Sequence, residues 1–221
     1  MWTMQDLLTE LITKALSQES NAKRGFAQSV QVYIGLKEID LKKPENRFVT
    51  LVELPHVPPK MEQKIGVITE GGTLAAAREL GVKVLTRQQV ESASGDKKAI
   101  RKLLDGVDLL IAEAPLMPLV GKVFGPFLGP TDRMPTPVPP NADISPVVQR
   151  LKRSVLIKLK TQSALSAPIG TEDMALDQIR ENAAKVVSEV ERRVPNGLKS
   201  FESLAIKTTM GKLTGSKVRM R

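Results

Sequence analysis

The 221-residue chain contains no cysteine and a single histidine, His56. Without thiols there can be no disulfide, thiolate metal site or cysteine nucleophile, and their absence fits a reducing compartment. One histidine excludes a multi-histidine metal centre. A hydrolase triad would have to use His56, which stands among prolines with no serine in a recognisable nucleophile turn nearby. The sequence therefore predicts a protein that is not an enzyme and that holds no metal and no cofactor.

Aromatic residues and long apolar runs are also scarce. Aromatics make up 3% of the chain, so a core drawn from its 41% hydrophobic residues must be mainly Val, Ile, Leu, Ala and Met. No apolar run approaches the roughly 20 residues of a membrane span. Met1 leads into a polar-faced helix, which is unlike a secretory signal. We expect a soluble, cytoplasmic protein with no membrane partner.

What the chain has in excess is positive charge, with a net charge of +9 and a pI of about 9.8. Such a balance points to a polyanionic partner, although charge alone does not separate RNA, DNA and a membrane surface. The last 23 residues, from Lys199 to Arg221, carry six Lys or Arg and one acid, Glu202. We interpret this end as the edge of a nucleic-acid-binding face. The alternative is a basic, frayed C terminus without a partner.

The two ends of the chain share one pattern of elements. Period-two alternation predicts strands, and 3.6-residue periodicity predicts helices. The pattern predicts a helix from Thr3 to about Ser17, capped by Thr3 with Asp6. It predicts strands near 29–36, 47–54, 155–160 and 203–206, a loop over 161–170, and a helix from Glu172 to Val194.

The middle of the chain differs. Short apolar runs at 65–68, 82–85 and 108–112 alternate with predicted helices at 73–80 and 97–104, which is typical of a small parallel α/β layer. The Pro/Gly-rich segment 125–141 is predicted as a long loop, followed by a short basic helix at 144–152. We therefore predict one discontinuous α+β domain, residues 1–59 and 154–221, interrupted by an inserted α/β domain, residues 60–153.

Basic, hydroxyl and amide side chains recur at the ends and on the polar sides of the first domain's elements. If the strands share one sheet, these groups form a continuous surface suited to ribose and phosphate, with an exposed Phe able to pack on a sugar or base. Taken singly, each is more often a solvated surface group, and a Phe is more often in the core. The candidate RNA-binding residues are Lys23, Arg24, Phe26, Ser29, Gln31, Lys160, Thr161, Ser203, Lys207, Thr209, Met210 and Gly211.

Four segments resemble a known family in their order and spacing. They are Lys-Arg-Gly-Phe-Ala-Gln-Ser-Val at 23–30, Gly-Pro-Phe-Leu-Gly-Pro-Thr-Asp-Arg-Met-Pro-Thr-Pro at 125–137, Ala-Pro-Ile-Gly at 167–170 and Thr-Thr-Met-Gly at 208–211. Together they are similar to the ribosomal L-one protein family, whose members form the mobile lateral stalk of the large subunit beside the tRNA exit site. The resemblance runs nearly end to end and has an archaeal or eukaryotic-like character.

The resemblance implies an α+β first domain built from both termini and an inserted α/β Rossmann-like three-layer second domain. It implies a cytoplasmic, ribosome-associated structural constituent of the large subunit that binds stalk rRNA of the 23S type. It also implies binding of exit-site tRNA with help in releasing deacylated tRNA, repression of the protein's own mRNA, and a monomer when free of RNA. Carried over by position, the implied RNA contacts are Phe26, Ser29 and Gln31 in the first strand, Thr161 in a loop, Ser203 in the last strand, and Thr209, Met210 and Gly211 in the tail.

Two other function classes stay open at this point. A nucleotide-dependent enzyme would use the inserted α/β layer, where Gly71-Gly72 is the only hint of a phosphate turn and lacks the GxGxxG spacing. A DNA-binding regulator would need a basic recognition helix, whereas the long helix is predicted to be acidic at its start.

Overall fold

The computed structural model describes residues 4–17, 19–71, 73–140 and 142–217. Within these residues the α-helices are α1 (Met4–Leu16), α2 (Thr73–Glu79), α3 (Arg87–Ser92), α4 (Lys97–Leu104), α5 (Met117–Leu128), α6 (Ser145–Lys152) and α7 (Leu176–Arg193). The strands are β1 (Ser29–Leu36), β2 (Phe48–Glu53), β3 (Ile65–Thr69), β4 (Lys83–Thr86), β5 (Leu109–Glu113), β6 (Thr136–Val138), β7 (Ser154–Leu159), β8 (Ala164–Thr171), β9 (Phe201–Thr208) and β10 (Thr214–Lys217). The structure therefore mixes helices with several sheets, which is consistent with the predicted α+β and α/β fold classes.

The chain divides into two compact units. Unit 1 comprises Met1–Met61 and Arg153–Arg221, and unit 2 comprises Glu62–Lys152. Each unit has its own buried apolar cluster.

Unit 1 is built around β1, one of the two inner strands of an antiparallel sheet with the order β10-β9-β1-β8. Alternate β1 residues, from Val30 to Leu36, are buried, while Ser29, Gln31, Tyr33 and Gly35 are only half-buried. The buried side faces apolar residues of α1 and α7, such as Leu8, Ile12 and Val186, which join the same core. The period-two pattern of β1 therefore gives the sheet one helix-covered face and one open face.

The condition that all the predicted strands of the first domain share one sheet is not met. Among the described residues of unit 1, β2 and β7 pair antiparallel in a separate two-stranded sheet. One of the two strands that neighbour β1 is β8, which lies in the segment 161–170 that the sequence predicts to be a loop. β8 is an edge strand, where a proline costs no ladder hydrogen bond on its open side. Lys160 and Thr161 therefore follow a strand of the other sheet.

The long helix begins later than predicted. It starts at Leu176, so Glu172 and Asp173 precede it and Asp177 alone supplies acid to its first turn. The Glu172 carboxylate instead accepts a hydrogen bond from the backbone N–H of Gln28, 3.0 Å away. Thr3, the predicted cap of the first helix, lies outside the described residues, as does Gly72.

Unit 2 contains a parallel sheet with the order β4-β3-β5-β6. The prediction of a loop over 125–141 is wrong at both ends, since α5 continues to Leu128 and β6 pairs with β5. Helix α5 accommodates Pro126 because Val120, Phe124 and Leu128 bury its apolar side. The carbonyl that Pro126 leaves without a helical donor belongs to Lys122, and because both residues are exposed this carbonyl can bond to water.

Candidate nucleic-acid interface

The open face of the β10-β9-β1-β8 sheet carries several of the predicted residues side by side. Gln31 on β1 lies opposite Lys207 on β9, and Gly35 lies opposite Ser203. The Tyr33 hydroxyl donates to Gln31 Oε1 at 2.9 Å and fixes the orientation of that amide. A shallow cavity of about 350 Å³ lies over this face. The face offers amide, hydroxyl and ammonium groups on a rigid support.

The open face ends in the terminal turn, which we define as residues 208–212. The Thr209 N–H donates to the Ser29 carbonyl at 3.0 Å, and the Ser29 N–H donates to Thr209 Oγ1 at 3.1 Å. Thr208 is 1% exposed, so its side chain lies inside the protein. Its hydroxyl donates to Asn21 Oδ1 at 2.9 Å. The terminal turn is therefore bonded to the start of β1 and to the segment before it.

Two exposed apolar side chains lie in this part of unit 1, one in the segment before β1 and one in the terminal turn itself. Phe26 is 53% exposed and Met210 is 59% exposed. Lys23 and Arg24 are exposed on the same segment as Phe26. A large apolar side chain held in water by a hydrogen-bonded turn is typical of a contact site rather than of a core residue. The alternative expectation for Phe26, a place in the core, is not what the structure shows.

A buried polar cluster joins the segment before β1, the terminal turn and the residues after β8. Gln28, which is fully buried, accepts from the Met210 N–H at 2.9 Å and donates to Asn21 Oδ1 at 2.6 Å. Glu172 accepts from the Gln28 N–H at 3.0 Å and from Asn21 Nδ2 at 2.8 Å. These bonds span up to 187 positions of sequence, from Asn21 to Thr208. The cluster fixes the backbone that carries Phe26 and Met210.

Sequence reasoning missed Asn21, Gln28 and Glu172. One feature of the sequence did indicate that Gln28 is buried. Gln28 lies two residues before Val30 and four before Val32, which face inward, so the period-two pattern of β1 places it on the same side. A polar residue at an inward-facing position must have a buried partner, because an unsatisfied buried amide is costly. The identity of that partner could not be read from local sequence.

Gly211 allows the terminal turn to pack closely. A Cβ at Gly211 would overlap Thr208 Oγ1 and would lie 2.9 Å from the Ser20 carbonyl oxygen. The next residue, Lys212, donates its N–H to that same carbonyl at 2.8 Å. Glycine is thus required here by backbone approach within the protein.

Lys160 and Thr161 lie near the C-terminal end of β1, whereas the terminal turn lies at its N-terminal end. The loop that carries them bonds to the end of β1 through the Leu36 N–H and the Ser163 carbonyl, 2.7 Å apart. Ser29 and Gly35 are six residues apart on β1, so the two ends are separated by roughly 20 Å at about 3.4 Å per residue. The predicted residues therefore form two groups joined by the open face.

Among the described residues of unit 2, the carboxylate of Glu113 is buried at the end of β5. Burial acts to raise the pKa of Glu113, but hydrogen bonds from the Thr69 and Thr73 hydroxyls and the Glu70 N–H outweigh it and leave the pKa below its ordinary value. The hydrogen-bonding groups of this cluster are therefore paired with one another.

Within residues 4–17, 19–71, 73–140 and 142–217, no three His, Cys, Asp or Glu side chains are placed to hold a metal ion. In the described part of the chain, no helix has the length and apolarity needed to cross a membrane.

Comparison with known proteins identifies the family. The model of the "Ribosomal protein L1p/L10e family" matches residues 16–212. The large ribosomal subunit protein uL1 of Archaeoglobus fulgidus is 39% identical over 208 residues, covering 94% of this chain and 95% of that protein. Its counterpart from Thermococcus kodakarensis is 41% identical over 204 residues, covering 91% and 94%. That of Hyperthermus butylicus is 37% identical over 215 residues, covering 97% and 98%.

This chain belongs to the ribosomal protein L1p/L10e family. The resemblance inferred from the four segments is confirmed, and the relatives named above are archaeal.

Proposed function

We propose that this chain is a structural protein of the large ribosomal subunit and that unit 1 binds stalk rRNA near the tRNA exit site. The relatives that match nearly its whole length are named large ribosomal subunit proteins, which are structural proteins and not enzymes. The two units then correspond to an α+β RNA-binding domain, residues 1–59 and 154–221, and an inserted Rossmann-like domain, residues 60–153. The family resemblance supports further roles in releasing deacylated tRNA and in repressing the protein's own mRNA.

The observation that carries the proposal is the terminal turn held beside the segment 23–29. Because Gln28, Asn21 and Glu172 fix this backbone, Phe26 and Met210 meet RNA without first being ordered. Preorganisation of this kind reduces the entropy cost of binding. Ribose and bases offer apolar faces on which such side chains pack.

The remaining candidate residues supply charge and polar contacts. Lys23, Arg24 and Lys207 neutralise phosphates, which gives affinity that declines with salt. Gln31 and Ser203 present an amide and a hydroxyl on the open face, where they contact ribose and phosphate. The role of Thr209 differs from that of these residues. Its hydroxyl already accepts the Ser29 N–H, so it positions the turn as well as bordering the RNA.

Met210→Ala tests the proposal in a filter-binding titration with a stalk-region rRNA transcript. Full burial of a Met side chain is worth about 1.5–3 kcal/mol, and Met210 is 59% exposed, so burying its exposed part is worth about 1–2 kcal/mol and we expect the affinity to fall by roughly 5- to 30-fold. Met134→Ala is the matched control, because Met134 is another exposed methionine, at 46%, and lies in unit 2. Equal affinities for the two variants would remove the terminal turn from the interface.

Thr209 allows a second test in the same assay. Thr209→Ala removes the acceptor of the Ser29 N–H, whereas Thr209→Ser retains it. We expect alanine to weaken binding and serine to restore most of it. A serine variant as weak as alanine would mean that the methyl group, not the hydroxyl, matters.

The competing reading, a nucleotide-dependent enzyme using unit 2, makes a separate prediction. It requires a thermal shift with ATP or NAD. We expect none, because the hydroxyl and carboxylate groups of Thr69, Thr73 and Glu113 bond to one another.

A further inference from the structure

Helix α4 of unit 2 exposes four cations on one side. Lys97, Lys98, Arg101 and Lys102 are all exposed, while Ile100 is 3% exposed and belongs to the core of unit 2. The spacing places Lys97 beside Arg101 and Lys98 beside Lys102, one helical turn apart. We call these four side chains the α4 basic face.

These cations differ from those of several other helices in their lack of ion-pair partners among the described residues. Helices α1, α3 and α7 pair their cations with acids of the same helix, as in Lys14–Glu10 and Arg87–Glu91. Across the part of the chain that the structure describes, no member of the α4 basic face forms an ion pair. The carboxylate of Asp96 caps the helix by accepting the Lys98 N–H at 2.8 Å.

A further cation lies at the other end of the helix. Lys83 Nζ, on β4, donates to the Asp105 carbonyl at 2.7 Å, just beyond the last residue of α4. The positive charge of the α4 basic face is therefore extended by a residue from a different element.

The arrangement works partly against helix stability. Lys97 and Lys98 occupy the first turn, which carries the positive end of the helix dipole and has no acid beyond the capping Asp96, whereas Arg101 and Lys102 in the last turn suit the negative end. Like charges one turn apart also repel each other. Residues that break a local rule in this way are expected at functional sites rather than at positions selected for folding.

We propose that the α4 basic face binds the phosphodiester backbone of RNA without reading its sequence. Ammonium and guanidinium groups are the side chains that position a protein on phosphates. The surface has no apolar centre, because Leu103 and Leu104 pack against the core of unit 2. Protein–protein interfaces are apolar at their centre and depleted in lysine, whereas three of these four residues are lysines. A membrane-surface helix would need its apolar side free for lipid.

The site is separate from the one proposed in unit 1, and its contribution can be measured separately. Each neutralised phosphate changes the slope of log K against log salt by about 0.7 to 0.9, so four cations contribute a slope of about 3. Between 50 and 200 mM monovalent salt, that slope corresponds to about a 60-fold change in affinity.

The test replaces all four cations of the full-length chain by glutamine, which retains helix propensity. The control, K14Q/R87Q/R192Q/R193Q, removes the same charge from exposed residues that are paired with acids on their own helices. Fluorescence anisotropy measures binding to a stalk-region transcript and to an RNA hairpin of unrelated sequence. We expect the α4 variant to lower the salt slope by about 3 on both RNAs, and the control to leave it nearly unchanged.

Two outcomes overturn the proposal: the α4 variant retains the wild-type slope, or the control loses as much slope as the α4 variant. Urea unfolding checks that both variants fold, and we expect the α4 variant to be at least as stable as wild type because repulsion is relieved. A negative result for the α4 basic face is distinguishable from a negative result for the proposed function of unit 1. The function of unit 1 is tested by Met210→Ala on the stalk transcript, in a chain whose α4 is unchanged.

Discussion

Replacing Gln28 by alanine removes the centre of the buried polar cluster while leaving every proposed RNA-contacting side chain in place. The Gln28 amide accepts from the Met210 N–H at 2.9 Å and donates to Asn21 Oδ1 at 2.6 Å. It also lies 3.3 Å from both the Ala22 carbonyl and Glu172 Oε2. The variant therefore tests whether the conformation of the terminal turn depends on Gln28, a buried residue outside the proposed RNA contacts.

The expected loss follows from which groups are left unpaired. Asn21 and Glu172 retain other partners, since Thr208 donates to Asn21 and Asn21 donates to Glu172. The Met210 N–H loses its partner, at a cost of about 1–3 kcal/mol. The lost methylene burial adds about 0.8 kcal/mol. We expect the free energy of unfolding to fall by about 2–4 kcal/mol.

Equilibrium urea unfolding followed by circular dichroism measures the change in the full-length chain. Hydrogen exchange adds a local readout, because the Met210 amide should exchange faster once its acceptor is removed. The control is Gln178→Ala, which truncates an exposed glutamine on α7 and should change the free energy by less than about 0.5 kcal/mol.

Affinity for the stalk transcript should fall in the Gln28 variant as well, because the turn must then be ordered on binding. An unfolding free energy within about 0.5 kcal/mol of wild type, with unchanged exchange at Met210, would refute the assignment of Gln28 as the residue that holds the turn.

Three further predictions concern stability. Gly211→Ala should cost about 1–3 kcal/mol by overpacking against Thr208, whereas Gly25→Ala, whose Cβ meets nothing within 4 Å, should be nearly neutral in the same urea assay. Asn182→Leu should cost about 2–4 kcal/mol, because the fully buried amide donates to the Ile169 carbonyl at 2.7 Å; a loss below about 1 kcal/mol would contradict this. Glu113, whose pKa is lowered from 4.5 by hydrogen bonds that outweigh burial, stabilises the fold above that pH and loses this contribution as the pH falls. Urea unfolding from about pH 7 to about pH 3 should therefore show a weaker acid dependence for Glu113→Gln, and an identical pH profile would contradict the assignment.

Several features of the fold were accessible from the sequence because they depend on short-range periodicity. The alternation along β1 predicted which side chains are buried, and the structure confirms it from Val30 to Leu36. Helix α4 was predicted at its observed bounds, Lys97–Leu104, and the structure shows in addition that Asp96 caps it. Net charge and the absence of cysteine restricted the function classes without any structure.

Other elements were decided by tertiary contacts that override local preference. Residues 164–171 contain a proline and small side chains that favour a loop, yet they form β8 because β1 offers a partner edge. Residues 125–128 continue α5 despite Pro126, because Phe124 and Leu128 are buried in the core of unit 2.

The sequence by itself determined the charge, the periodic elements and the family, and it pointed to Phe26 and Met210 as surface residues of interest. Only the tertiary structure decided how those residues are held. Gln28 and Glu172 are 144 positions apart, and Asn21 and Thr208 are 187 apart. Propensity and periodicity act over a few residues, whereas the partner of a buried amide is fixed by strand order and register. That is why the candidate contacts could be proposed from the sequence and the cluster that orders them could not.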